Sequence, residues 1–187
     1  MLVGKKLKQA DYHAYIRLDE NADRHFELID GEIVEKVPNF GYSSGTSATI
    51  NGLFFVYRLQ NPIFFITDAQ GGYEIDDENT FMPDVGVILK ARLPALPTDA
   101  YIPMRPDIAV EVVSKSDLEK PKERIEKKQR AYLAAGVPLT LYVYPERREV
   151  EVYRPGQPVQ VVGIEGEIDC GAVLPGFALR VSEIFPA

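Results

Sequence analysis

The chain predicts an α/β fold: a mixed central β-sheet flanked by helices. Three features carry that prediction. Asp107–Val113 is mostly Ile, Val and Ala, the composition of a strand covered on both faces. It runs straight into Ser114–Asp117 and a long charged segment with apolar residues at helical spacing. The order helix, hairpin, helix, strands, helix, strands is that of a sheet layered with helices, read here as a single domain over residues 1–187.

The elements follow in order. Asp11 can cap a short helix from Tyr12 to Leu18. Arg24–Ile29 and Glu32–Val37 flank Asp30-Gly31, a strong hairpin signal. In that hairpin Glu27 alternates with Phe26 and Leu28, which reads as a solvent-facing acid with a site role as the alternative. Tyr42–Gln60 is a helix with Ile50, Leu53, Phe54 and Tyr57 on one stripe, stopped by Asn61-Pro62. Ile63–Thr67 and Gly72–Ile75 read as strands, and Asp76–Asn79 as a solvated acidic turn without the spacing of a calcium loop. An apolar strand follows Pro83-Asp84, then a proline-containing loop over Arg92–Arg105. Ser116-x-x-Glu119 has the pattern of a capping box, so the next helix is expected from Glu119 to Ala135, closed by Gly136 and Pro138. Leu139–Tyr144, Glu149–Tyr153, Val159–Ile164 and Val173–Val181 are the remaining strands, and Ser182–Phe185 a last helical turn.

Composition narrows the function. The net charge is −7, which argues against a general polyanion-binding surface. Lys115–Arg130, however, holds seven basic and four acidic residues, a local +3 against −10 elsewhere; a solvated helix of alternating charge is the competing reading. Cys170 is alone and cannot form an internal disulfide. No apolar run reaches the ~18–20 residues of a membrane span, and Met1–Lys6 lacks a signal-peptide core, so a cytoplasmic location without membrane contact is expected.

The candidate chemistry lies on the two apolar strands. Glu111 sits mid-strand, where an ionised carboxylate is costly unless it is paired or bound to a metal. Asp84 heads the other strand, so a sheet that joins them makes a metal site possible. On a helical wheel Leu118, Ile125, Tyr132 and Leu133 form an apolar stripe, with Lys128 at one edge, Lys122 at the other as a rival, and Lys127 nearly opposite.

These residues resemble the Uma2 family, restriction endonuclease-like proteins within the PD-(D/E)XK nuclease superfamily. The resemblance spans nearly the whole chain. It rests on Phe26–Glu32, Pro83-Asp84-Val85, Val110–Ser114 with Ser116-Asp117, Lys128–Tyr132, Gly136-Val137-Pro138 and Leu174–Phe177. It implies a restriction endonuclease-like core, with Asp84 and Glu111 as metal-binding acids and the Val112 carbonyl as a third ligand. The superfamily's usual lysine falls on Val113, and the resemblance moves that role to Lys128, with Glu27 as a possible additional site residue. Leu141 and Tyr144 stand where relatives usually have Trp and Asp, and a His common near the start of the second helix is missing from Tyr42–Gln60. The implied activity is hydrolysis of nucleic acid, DNA first, with Mg²⁺ or alternatively Mn²⁺. Lys120, Lys122, Arg124 and Lys127 are the expected nucleic-acid contacts, and a homodimer is left open because many nucleases of the superfamily act as dimers. Two alternatives stand beside it: a nuclease-like fold kept for binding or assembly, and a two-carboxylate glycosidase, which has no need of Lys128 and no Trp for sugar stacking.

Overall fold

The computed structural model describes residues 6–38, 40–118 and 122–185, the side chains of Ser116 and Leu118 excepted. Lys120, together with the expected helix start at Glu119 and Pro121, lies outside them. The chain begins with α1 (Gln9–Ile16), the hairpin β1 (Phe26–Ile29) and β2 (Glu32–Glu35), and the long helix α2 (Gly41–Gln60). Strands β3 (Phe64–Thr67), β4 (Tyr73–Asp76), β5 (Asn79–Phe81), β6 (Val85–Leu89) and β7 (Ile108–Val112) come next. After the short helices α3 (Lys115–Leu118) and α4 (Glu123–Ala134) run β8 (Leu139–Tyr144), β9 (Glu149–Tyr153) and β10 (Gln160–Gly163). A ribbon of β11 (Glu167–Asp169) and β12 (Ala178–Arg180) and the turn α5 (Val181–Ile184) end the chain.

Six strands form the main sheet in the order β10-β9-β8-β7-β6-β3. Only β7 and β8 are parallel, and α3 and α4 supply the crossover that a parallel pair requires. A four-stranded sheet, β2-β1-β5-β4, packs near it. Side-chain alternation along β7 divides the molecule. Ile108, Val110 and Val112 join the main core with Ile50 and Phe54 of α2. Ala109, on the other face, packs with Ile29 of β1, Phe81 of β5, Tyr132 of α4 and Val137. Glu111 shares the Ala109 face, so it looks toward α4 and the smaller sheet.

Local chemistry explains the boundaries. Asp30 and Gly31 have φ of 51° and 74°, the two positive values of a type I′ hairpin turn. At Gly31 a side chain would also collide with Lys6, whose Cβ lies 2.6 Å from where its own Cβ would be. At the end of α4, Gly136 has φ 69°; its N–H reaches the Leu133 carbonyl and that of Val137 the Tyr132 carbonyl, a Schellman closure.

Four expectations need correction. Asp11 does not precede α1 but lies in its first turn, where it accepts the Lys8 backbone N–H at 3.1 Å, so the helix starts earlier. Strand β5 was not anticipated, because three residues after an acidic turn carry too little pattern. The strand expected at Val173–Val181 is only Ala178–Arg180, paired with β11. Of the helix expected over Glu119–Ala135, the described residues show α4 over Glu123–Ala134 with Lys122 at its N-cap, and a reciprocal cap stands at the start of α3. Ser114 Oγ accepts the Asp117 N–H, and Asp117 Oδ2 accepts the Ser114 N–H at 3.1 Å.

Candidate functional site

The pairing of β6 with β7 brings the two predicted acids together. Its register runs from Val87 opposite Ile108 to Val85 opposite Val110. One step further places Asp84 opposite Glu111, and a second places Pro83 opposite Val112. Directly opposed residues of antiparallel strands project from the same face, so the two carboxylates leave the sheet together. Proline has no N–H to offer the Val112 carbonyl. On the same edge the Val112 N–H is taken by Asp84 Oδ2 at 2.8 Å. The Pro-Asp pair therefore ends the ladder at Val112, next to the two acids.

Lysine 128 joins the second acid to a third. From one face of α4 its Nζ lies 2.6 Å from Glu111 Oε1 and 2.9 Å from Glu27 Oε1, and the residue is only 6 % exposed. Glu111 Oε1 also accepts the Tyr132 hydroxyl at 2.8 Å, while Oε2 has no hydrogen-bond donor among the described residues. Glu27 is 1 % exposed and fully engaged: its Oε1 accepts the Met82 N–H at 2.8 Å and its Oε2 an Arg124 N–H at 2.9 Å. Lys36, just past β2, places its Nζ 3.2 Å from Asp84 Oδ1 and donates to the Met82 carbonyl. These groups border a cavity of about 90 Å³.

Charge is balanced by geometry rather than by solvent. Burial opposes ionisation of Glu27, yet Lys128, Lys36 and Arg124, with the Met82 N–H, hold its carboxyl down to about 2. Glu111 is pushed above the usual carboxylate range, first by burial and then by the charges of Glu27 and Asp84, with Lys128 opposing. Burial works against the Lys128 ammonium, but Glu111 and Glu27 more than compensate and raise it above the ordinary lysine range. The ammonium is therefore held as a cation.

Not every buried acid belongs here. Asp107, at the head of β7, binds the Leu89 N–H and Arg92 at 2.8 Å each and ties the Arg92–Arg105 loop to the sheet. Among the expected nucleic-acid contacts, Arg124 is one-third exposed at the cavity while holding Glu27. Lys122 is exposed. Lys127 faces away, toward Asp30, Glu32 and Glu123. Among the described residues no three His, Cys, Asp or Glu side chains converge to cage a metal ion. The fit to a divalent cation thus rests on Asp84, Glu111 and the Val112 carbonyl: hard oxygen donors of the kind Mg²⁺ takes while keeping several waters. Sequence reading missed Lys36, Tyr142 and the polar role of Tyr132. Lys36 looks like any residue after a hairpin, and both tyrosines look like core.

The fold and this arrangement define an α/β protein with a nuclease-like frame. The chain belongs to the Uma2 family, described as "Putative restriction endonuclease", whose profile matches residues 10–182. It is also similar to the crystal structure of a "putative nuclease belonging to DUF820" from Anabaena variabilis ATCC 29413. That likeness has a TM-score of 0.70 at 19% identity and covers 86% of this chain and 89% of that one, so it speaks for the shared fold. A comparison with curated proteins gave no match. Among the described residues no helix is long and apolar enough to cross a membrane.

Proposed function

We propose that the protein is a Mg²⁺-dependent endonuclease, able to use Mn²⁺, that hydrolyses phosphodiester bonds in nucleic acid, with DNA as the first substrate to test. The observation that carries this reading is the opposition of Asp84 and Glu111 at the end of the β6–β7 ladder. Val112, whose N–H holds Asp84, lies at the same edge, and Lys128 is paired with Glu111. The two carboxylates and the Val112 carbonyl would hold the cation. When bound it supplies positive charge at the scissile phosphate and a more acidic water.

The chain's own residues do the rest. The Val112 N–H fixes the Asp84 carboxylate, and the Tyr132 hydroxyl fixes Glu111 with Oε2 left for a ligand. Lys128 offers a cation to the negative charge that develops on the phosphorus oxygens, which a site shielded from water strengthens. Glu27 is a positioning residue, since it touches Lys128 and Arg124 rather than the reacting atoms. Arg124, at the cavity, is suited to a flanking phosphate, and the basic excess of Lys115–Arg130 in the sequence, which includes Lys120 and Lys122, reconciles the function with a net charge of −7.

One observation favours the alternative of a binding or assembly module without catalysis. Three acids, Glu27, Asp84 and Glu111, are already matched by Lys36, Arg124 and Lys128. Cleavage of labelled DNA and RNA with Mg²⁺ or Mn²⁺, against a chelator and against Asp84→Ala, separates the two. The nuclease reading expects metal-dependent cleavage that Asp84→Ala abolishes. Cleavage that survives the substitution, or nucleic acid bound but never cut, contradicts it.

A further inference from the structure

One buried polar atom of a residue that lines the cavity has no use in the site as described. Tyr142 of β8 pairs with Glu111 in the parallel register, so its side chain leaves the sheet on the same face and lines the same cavity. The residue is 2 % exposed, yet its hydroxyl is buried with no hydrogen-bond partner among the described residues. Its ring is held in place by an edge-on contact with Tyr153, centroids 5.6 Å apart, and by Val113 and Ile125. Tyr132 makes the contrast: it is equally buried and spends its hydroxyl on Glu111. A buried hydroxyl that bonds to nothing opposes folding, and phenylalanine would fill the same space without that cost.

The surroundings say what kind of partner the hydroxyl suits. Burial and the nearby Glu111 charge hold the phenol well above its ordinary range, so it stays protonated and acts as a donor. Lys36, Arg124 and Lys128 line the same cavity and favour an anion. A neutral phenol is a poor ligand for a hard dication but a good donor to an oxygen that can only accept.

We propose that the Tyr142 hydroxyl is a substrate contact, donating a hydrogen bond to a non-bridging oxygen of the phosphate bound in this cavity. It rests on the nuclease reading and adds a residue to it. Tyr142→Phe in the full chain tests it by three measurements. These are thermal unfolding without ligand, the increase in Tm caused by inorganic phosphate with Mg²⁺, and single-turnover cleavage. The variant should unfold at the wild-type temperature or higher, lose at least about half of the phosphate-induced shift, and cleave about tenfold more slowly or worse, as expected for a lost hydrogen bond to a charged group. An unliganded variant that melts lower overturns the proposal, because the hydroxyl then has a structural partner. So does a phosphate shift that the substitution leaves unchanged, or a wild-type protein that phosphate does not stabilise. If the wild type responds to phosphate, the variant does not, and neither cleaves nucleic acid, the Tyr142 contact stands and the nuclease reading falls.

Discussion

Replacing Lys128 by methionine removes a cation while keeping most of the length and volume of the side chain. The ammonium sits 2.6 Å from Glu111 and 2.9 Å from Glu27, almost out of contact with water. Without it Glu27 retains Arg124 and the Met82 N–H, whereas among the described residues Glu111 retains only the Tyr132 hydroxyl. Glu111 is therefore the group left uncompensated. Removing one partner of a buried ion pair costs about 3–5 kcal/mol. For a chain of this length that corresponds to a fall in Tm of roughly 6–20 °C. Thermal unfolding followed by circular dichroism at neutral pH measures it. Two further readings should accompany the loss. The Glu111 carboxyl, already raised, rises further in the variant, so the deficit grows as pH climbs through its folded value and shrinks below about 4.5, where the acid is protonated in both states. Mg²⁺ should raise the Tm of the variant more than that of the wild type, because the dication replaces missing charge beside Glu111. A variant that melts within about 2 °C of the wild type at neutral pH refutes the reasoning.

Two more expectations follow from the same network. Glu27 is held down to about 2, so it contributes stability that is fully present above about 4.5 and lost as pH falls toward its folded value. Glu27→Gln should therefore be less stable than the wild type at neutral pH, with the gap in urea midpoints closing through that acid window; a gap independent of pH contradicts the assignment. Lys36 occupies Asp84 Oδ1, and a dication that takes this carboxylate meets its charge. Lys36→Met should bind Mg²⁺ several-fold more tightly by calorimetry, and weaker binding would mean that the lysine organises the site rather than competing for it.

The core of the site was legible because it is made of sequence-local contrasts. Asp84 and Glu111 each interrupt an apolar strand, and two such strands in an α/β chain are natural neighbours. Lys128 was legible twice, from the helical wheel and from the family resemblance. Lys122 lost the comparison because it lies one residue before α4 and is exposed. Glu27 was harder. Alternation assigns it to solvent, but β1 is buried on both faces, with α1 on one side and α4 on the other. Lys36 was beyond reach, since its place depends on β1 pairing with β5 and so carrying the hairpin to the Met82–Asp84 segment. The start of α4 was placed too early because Ser116-x-x-Glu119 reads as a cap in the sequence, whereas α4 begins at Glu123 with Lys122, which offers no side-chain capping bond, at its N-cap.

The central claim is that Asp84, Glu111 and the Val112 carbonyl hold one divalent cation. Anomalous diffraction from crystals grown with Mn²⁺ tests it most directly. The account predicts a single strong peak between the two carboxylates, within bonding distance of the Val112 oxygen, with the Lys36 ammonium moved off Asp84. A peak on the Asp76–Asn79 turn, or no peak while Lys36 and Lys128 stay bonded to the acids, would contradict it.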